Sequence, residues 1–263
     1  WAPEVNRVFS GGMDGRLKEW PSTPPPKARV LQGQAGGVLR IAFSPDGKRL
    51  ACLGEKVRQD GQIRDAAILF AVGVGLDGKR QILGVSVSLS EHEVHWRTFL
   101  QSLVARGLSS VQLITSDDHA GLRAARQAVF GSIPWQRCQF HLQRNAQAYV
   151  PHKDMQSEVA DDIRTIFNAP DRATADAYLA KTVLKYEKTA SRLSNWMVSN
   201  LPEGLMVFSF PGGFQRQLRT TNGVERLHRE VRRRARVVSI FPNQASCLRL
   251  ASAVLSEISE EWL

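Results

Sequence analysis

The sequence predicts an α/β fold: a mixed sheet flanked by helices, with an all-helical insertion and a short β segment ahead of it. Three observations predict it. From Glu55 onward, strand-length apolar runs alternate with stretches whose apolar residues recur every three or four positions. Residues 151–200 carry helical periodicity and no strand signal. Residues 1–54 are instead rich in Gly and Pro, with short β-like runs between pairs of tight-turn residues. With 263 residues and 43% hydrophobic content the chain can build one large core or two small ones, so disorder is excluded as its default state.

In the first segment the β-like runs are 7–10, 15–20, 38–43 and 49–53. Gly11-Gly12, Asp14-Gly15, Gly36-Gly37 and Pro45-Asp46-Gly47 supply the turns. The second part opens with runs at 66–74 and 81–88 joined by Asp77-Gly78, a hairpin signal. Ser90-Glu-His-Glu93 reads as a helix N-cap with an acid three positions on, ahead of Val94, Trp96, Phe99, Leu100 and Leu103; Gly107 stops that helix. Val111 to Ile114 reads as a buried strand that ends in Asp117 and Asp118, and a helix follows over 121–130. Residues 135–141 read as a further short strand. Helices are expected at about 154–168, 171–188 and 190–200, separated by Pro170 and a polar joint. A short β-like run at 205–210 and the turn Pro211-Gly-Gly213 come next. Thr220-Thr-Asn222 opens a helix carrying Val224, Leu227 and Val231, and a last helix runs from about Asn243 to the end.

Charge narrows the partner. Lys and Arg number 35 against 25 Asp and Glu, a formal net charge of +10, which favours a polyanion: nucleic acid first, an anionic membrane surface second. Three widely spaced cysteines, Cys52, Cys138 and Cys247, argue against a disulfide framework and for a reducing cytosolic setting. No apolar run approaches the ~20 residues of a membrane helix, and no signal peptide is recognisable. Because it opens at Trp1 rather than Met, the sequence is expected to be a fragment or a truncated reading frame. No glycine-rich phosphate loop, nucleophile elbow or zinc-protease helix occurs, so nucleotide hydrolysis and acyl transfer have no support.

Four features could carry chemistry. Asp117 stands at a strand's carboxyl end, where ligands gather in open sheets flanked by helices; a turn or cap is the ordinary alternative. Glu225 lies in the first turn of the 222–235 helix, on a stripe with His228, Arg229 and Arg232. The ordinary alternative is an exposed Glu225–Arg229 pair worth about 0.3 to 0.5 kcal/mol. The run Arg232-Arg-Arg-Ala-Arg236 suits phosphate contact, or else is a solvated face. Cys138 and His141 have the spacing of half a zinc site, but no second ligand pair appears, which favours a buried thiol with a polar histidine beside it.

Two resemblances follow from these residues. Val8 to Trp20 together with Gly36 to Leu50, carrying Asp14, Trp20 and Phe43-Ser-Pro-Asp-Gly-Lys48, resembles one unit of a WD-repeat propeller. One repeat of roughly 40 residues cannot close a propeller. Residues 55–263 resemble Mutator-type bacterial insertion-sequence transposases. The match rests on Lys56-Val-Arg58, Arg64-Asp-Ala-Ala-Ile-Leu69, Ser116-Asp-Asp-His-Ala-Gly-Leu122, Cys138-Gln-Phe-His-Leu-Gln-Arg-Asn145, Arg219-Thr-Thr-Asn-Gly-Val-Glu-Arg-Leu227 and Phe241-Pro-Asn243.

The transposase resemblance implies a ribonuclease H-like domain over 55–263, behind the 1–54 fragment, with the helical insertion at about 151–200. It implies metal-dependent DNA cleavage and strand transfer by three acidic residues holding two Mg²⁺ or Mn²⁺ ions. Asp117 matches the second acid and Glu225 the last, with Cys138, His141 and His119 in support. Arg226, Arg229, Arg232, Arg233, Arg234 and Arg236 are the expected DNA contacts. The implied partners are transposon ends and target DNA, with a homo-oligomer as the active complex and no membrane, in a bacterial cytoplasm and on the nucleoid when DNA-bound. The first acid is missing: counting back from Lys56-Val-Arg58 lands on Ala51. A junction near Gly54 would explain this, leaving an impaired, truncated and chimeric copy unless Asp46, Glu55 or Asp60 substitutes. The competing readings are a WD-repeat interaction fragment and a nonenzymatic DNA-binding domain derived from a transposase.

Overall fold

The computed structural model describes residues 7–11, 17–21, 38–42, 55–90 and 92–262. The chain divides into two compact units, Trp1–Ala35 and Gly36–Leu263. In the first, β1 (Arg7–Gly11) and β2 (Leu17–Pro21) pair antiparallel, with Arg7 opposite Pro21 and Gly11 opposite Leu17. They match the runs expected at 7–10 and 15–20. Asp14, the Phe43 to Lys48 run and the strand expected at 49–53 lie outside the described residues.

The second unit contains, in order, β3 (Val38–Ala42), β4 (Glu55–Gln59), β5 (Gln62–Gly75), β6 (Arg80–Ser88), α1 (Glu93–Ala105), β7 (Leu113–Ser116), α2 (Ala120–Phe130), β8 (Trp135–Arg137) and α3 (Gln139–Ala146). It continues with α4 (Met155–Phe167), α5 (Arg172–Tyr186), α6 (Ser191–Asn200), α7 (Gly212–Leu218), α8 (Asn222–Ala235), β9 (Ile240–Phe241) and α9 (Gln244–Glu260). Its strands form one mixed sheet in the order β8-β7-β3-β5-β4-β9, with β6 on β5. β3, β7 and β8 run parallel to one another, as do β4 and β9. β5 pairs antiparallel with β6 on one side and with β4 and then β3 on the other.

Strand β5 explains the layering. Its central run is apolar at every position because both faces are covered. Ala66, Ile68, Phe70 and Val72 point to the side of α8 and α9, where they pack with Val224, Leu227, Val231 and Leu255. Ala67, Leu69 and Ala71 point to the other side, against Trp96, Phe99, Leu100 and Leu122 of α1 and α2. Helices α4 to α6 bury a separate cluster including Ile163, Leu179, Leu193 and Met197, so the insertion has its own core.

Several local expectations change. Strand β4 has one fully buried apolar residue, Val57, and no alternation strong enough to announce it. It forms because Asp60 and Gly61, at φ 50° and 76°, make a tight two-residue hairpin back to β5. The segment 135–141 is a strand only to Arg137; from Gln139 it is helix, which puts His141 on α3. The run 205–210 is not a strand. It forms 3-10 turns over 201–204 and 206–209, where the Val207 N–H donates to Gln136 Oε1 at 2.7 Å instead of to a neighbouring strand. The cap of α1 is His92, and the Ser90 carbonyl accepts from the Ser88 hydroxyl at 2.7 Å.

Candidate active site

Strand β7 buries all four of its residues, and their alternation decides where Asp117 goes. Leu113 packs with Val207 and Leu218, and the Thr115 hydroxyl donates to the Leu218 carbonyl at 2.8 Å. On the opposite face Ile114 joins the α1–α2 core, and Ser116 Oγ accepts from Trp135 Nε1 at 2.9 Å. Asp117, one residue on, is 2% exposed. Its neighbour Asp118 is committed elsewhere. It pairs with Arg123 at 2.9 Å and Arg137 at 3.4 Å, and Arg137 also holds Glu203 at 3.0 Å and Asn200 Oδ1 at 2.8 Å. Asp118 thus ties α2 to β8, and Arg137 carries the tie on to Asn200 and Glu203 at the end of the helical insertion. His119 caps α2, and burial holds its imidazole below the usual range, neutral near pH 7.

Glu225 is delivered by a chain of contacts starting at the same strand end. The Cys138 N–H donates to the Ser116 carbonyl at 2.8 Å, and the Gln139 N–H to the Arg219 carbonyl at 3.0 Å. Cys138 is the residue at which β8 gives way to α3, so its side chain faces the approach to α8. Buried Thr221 donates both its N–H and its hydroxyl to Cys138 Sγ, at 3.4 and 3.2 Å, while its carbonyl accepts from the Glu225 N–H at 3.1 Å. His141 lies one helical turn beyond Cys138, with Nδ1 3.1 Å from Sγ and Nε2 3.6 Å from Glu225 Oε1. Cys138, His141, Thr221 and Glu225 therefore form one cluster. Burial pushes the Cys138 thiol up in pKa against the hydrogen bonds from Thr221, so it stays protonated. Sequence reasoning found three of the four; Thr221 carried only a helix-start signal.

Helix α8 sorts its basic residues by face. Val224, Leu227, Val231 and Ala235 are buried on the sheet. His228, expected on one stripe with Glu225, Arg229 and Arg232, turns inward and stacks on Phe70 with ring centroids 4.2 Å apart. Glu230 holds Arg233 through two hydrogen bonds of 3.0 and 2.6 Å, and Arg234 at 3.2 Å. Arg226, Arg229, Arg232 and Arg236 are exposed, and among the described residues none of them has a carboxylate within ion-pair distance.

Of the candidates for a substitute acid, Glu55 and Asp60 are among the described residues. Glu55 is 8% exposed beside Cys247, and burial raises its carboxyl against the pull of Arg232 and Arg236. Arg232 is seven residues along α8 from Glu225, about 10 Å of helix, so Glu55 serves the far half of that helix. Asp60 is exposed at the β4–β5 turn. Asp46 and Ala51 lie outside the described residues. Among the described residues, no group of three or more His, Cys, Asp or Glu is arranged to hold a metal ion. Asp117 and Glu225 alone do not make up the set that a resident pair of divalent ions requires.

His228 makes the fold sensitive to acid. Its packing, with Arg232 nearby, holds its pKa well below the ordinary 6.5. The unfolded chain therefore binds the extra proton first, so stability is full above about pH 6.5 and falls as pH drops toward the depressed folded value. The expected loss is at most about 1.4 kcal/mol per pH unit. His228→Phe, which keeps the stack on Phe70, should flatten that limb when urea unfolding is compared at pH 7.5 and 5.5. An unchanged pH slope in the variant would refute the assignment.

Comparison with known proteins agrees with this frame. The model of a family described as "Transposase, Mutator family" matches residues 50–263. The transposase for insertion sequence element IS406 of Burkholderia multivorans is 54% identical over 209 residues, 80% of this chain and 54% of that protein. That for ISRM5 of Rhizobium meliloti is 41% identical over 209 residues, 80% of this chain and 52% of the relative. That for IS1081 of Mycobacterium tuberculosis is 38% identical over 208 residues, 79% of this chain and 50% of the relative. The propeller-blade likeness draws no support from the family match, which starts at residue 50. Among the described residues, no helix is long and apolar enough to cross a membrane. The chain spans about half the length of the curated relatives it matches, and it belongs to the Mutator family of transposases.

Proposed function

We propose that this chain carries the DNA-handling core of an insertion-sequence transposase, in a copy that binds DNA but neither cleaves nor joins it. The observation that carries the reading is the cluster of Glu225, His141, Cys138 and Thr221, tied through the Cys138 N–H to the strand end that presents Asp117. A mixed sheet with one acid at a strand end, a second at a helix start and a helical insertion between them supports a ribonuclease H-like reading. The four exposed arginines of α8 beside that cluster support contact with a phosphate backbone, an affinity that depends on charge rather than base sequence. Transposon ends and target DNA are the proposed partners, with several copies of the chain in one complex.

Loss of catalysis rests on the acids. In an intact site Mg²⁺ or Mn²⁺ would activate the attacking oxygen and steady the leaving one. Here Ala51 stands where the resemblance expects the first ligand, and the described acids do not complete the set. The family match begins at residue 50, upstream of Gly54, so the proposed junction of a chimera moves to about that residue.

Two measurements on the whole chain test this. Titration with duplex DNA should show binding that weakens steeply with salt, and a strand-transfer assay on terminal-repeat DNA with Mg²⁺ or Mn²⁺ should show no joined product. Absence of binding at low salt would defeat the DNA reading. Joining that disappears in Asp117→Ala would defeat the claim of lost catalysis.

A further inference from the structure

We propose that Cys138 is a positioning residue that fixes the tautomer of His141, so that Nε2 carries the imidazole proton and turns it toward the Glu225 carboxylate. The thiol sits at the centre of a short relay. Its sulfur accepts from the Thr221 N–H and hydroxyl, at 3.4 and 3.2 Å, and lies 3.1 Å from His141 Nδ1. The backbone N–H can only donate, so that side of the sulfur is an acceptor. With a neutral imidazole, which offers one lone pair and one N–H, the S–H then has Nδ1 as its acceptor. Which ring nitrogen holds the proton is set by the partner of the other one.

The far side of the ring gives the same answer independently. His141 Nε2 is 3.6 Å from Glu225 Oε1. A lone pair there would confront the carboxylate oxygen, whereas an N–H at that distance is drawn to it by charge. His141 is 1% exposed and Cys138 is fully buried, so water does not readily replace either partner. Burial keeps the thiol protonated, as an S–H donor must be. The Thr221 carbonyl holds the Glu225 N–H at 3.1 Å, so one residue anchors both the sulfur and the backbone of the acid. With its proton on Nε2, His141 faces Glu225 with an N–H and presents no lone pair there to a metal. It therefore does not replace the missing ligand.

This inference takes Glu225 as the acid of the proposed site, but its test needs no DNA, so the two can fail separately. In the full chain labelled with ¹⁵N-histidine, long-range ¹H–¹⁵N spectra report each ring nitrogen as protonated or bare. His141 is assigned by the signals that vanish in His141→Gln. The expected result at pH 7 is a protonated Nε2 and a bare Nδ1. That pattern should persist in Cys138→Ser, whose hydroxyl still donates, and be lost in Cys138→Ala. A proton on Nδ1 in the unaltered chain overturns the relay. An unchanged pattern in Cys138→Ala, with the fold confirmed by its amide spectrum, overturns the role of the thiol. Should that variant fail to fold, the unaltered chain and Cys138→Ser decide. Duplex DNA titrated into the same samples reads the functional proposal on its own.

Discussion

Replacing Arg137 with Ala is expected to cost about 3 kcal/mol of unfolding free energy, at the lower end of the ~3–5 kcal/mol typical when one partner of a buried ion pair is removed. The side chain is 6% exposed and spans three elements, meeting Asp118 after β7, Asn200 at the end of α6 and Glu203 in the turn that follows. Removing it leaves two acids facing each other with half the countercharge. The cost stays at the lower end because Arg123 still pairs with both, at 2.9 and 3.5 Å, and because each acid retains about a quarter of its exposure to water. Arg123→Ala, by contrast, removes a half-exposed partner and should cost under about 1 kcal/mol. Urea unfolding of the two variants measures the difference. Equal losses would show that Arg137 is not the hub. Arg137→Lys should rescue only partly, since an ammonium cannot cover three acceptors as a planar guanidinium does.

The second large effect is on DNA affinity. Changing Arg226, Arg229, Arg232 and Arg236 together to Gln should lower the slope of log affinity against log salt by up to about 3.6, at about 0.9 per lost phosphate contact on duplex DNA. The loss should be uniform across unrelated duplexes, because phosphate contacts carry no base information. Arg233→Gln and Arg234→Gln should matter far less, since Glu230 already holds both guanidiniums. Arg232 and Arg236 also offset the buried Glu55 carboxyl, so part of any effect at those positions is on stability. The pair Arg226→Gln and Arg229→Gln isolates DNA contact, and a salt slope unchanged in that pair would remove α8 from the DNA-facing surface.

Much of this was legible in the residues. The hairpin of β5 and β6, the three helices of the insertion and the capped start of α9 at Asn243 all follow from strong periodicity closed by definite turn or cap residues. Strands β4 and β9 did not announce themselves. Each is short and weakly alternating, and exists because an already formed neighbour offers backbone partners. The apolar run at Leu205 misled for the converse reason: Leu205 and Val207 are buried, but Gln136 takes the backbone bonds that a strand would need, donating to the Gly204 carbonyl and accepting from Val207.

By itself the sequence determined the alternation of strands and helices, the positive charge, and the placing of Asp117 at a strand end and Glu225 at a helix start. These follow from side-chain period and local backbone chemistry, which act over a few residues. Only the tertiary structure decided that Asp118 is taken up by Arg123 and Arg137, that His228 faces the sheet, and that Glu55 stands by the far half of α8. It alone joined Thr221 to Cys138 across more than eighty residues of chain. Contacts of that kind depend on which faces the packed core turns toward one another, and no short-range pattern encodes them.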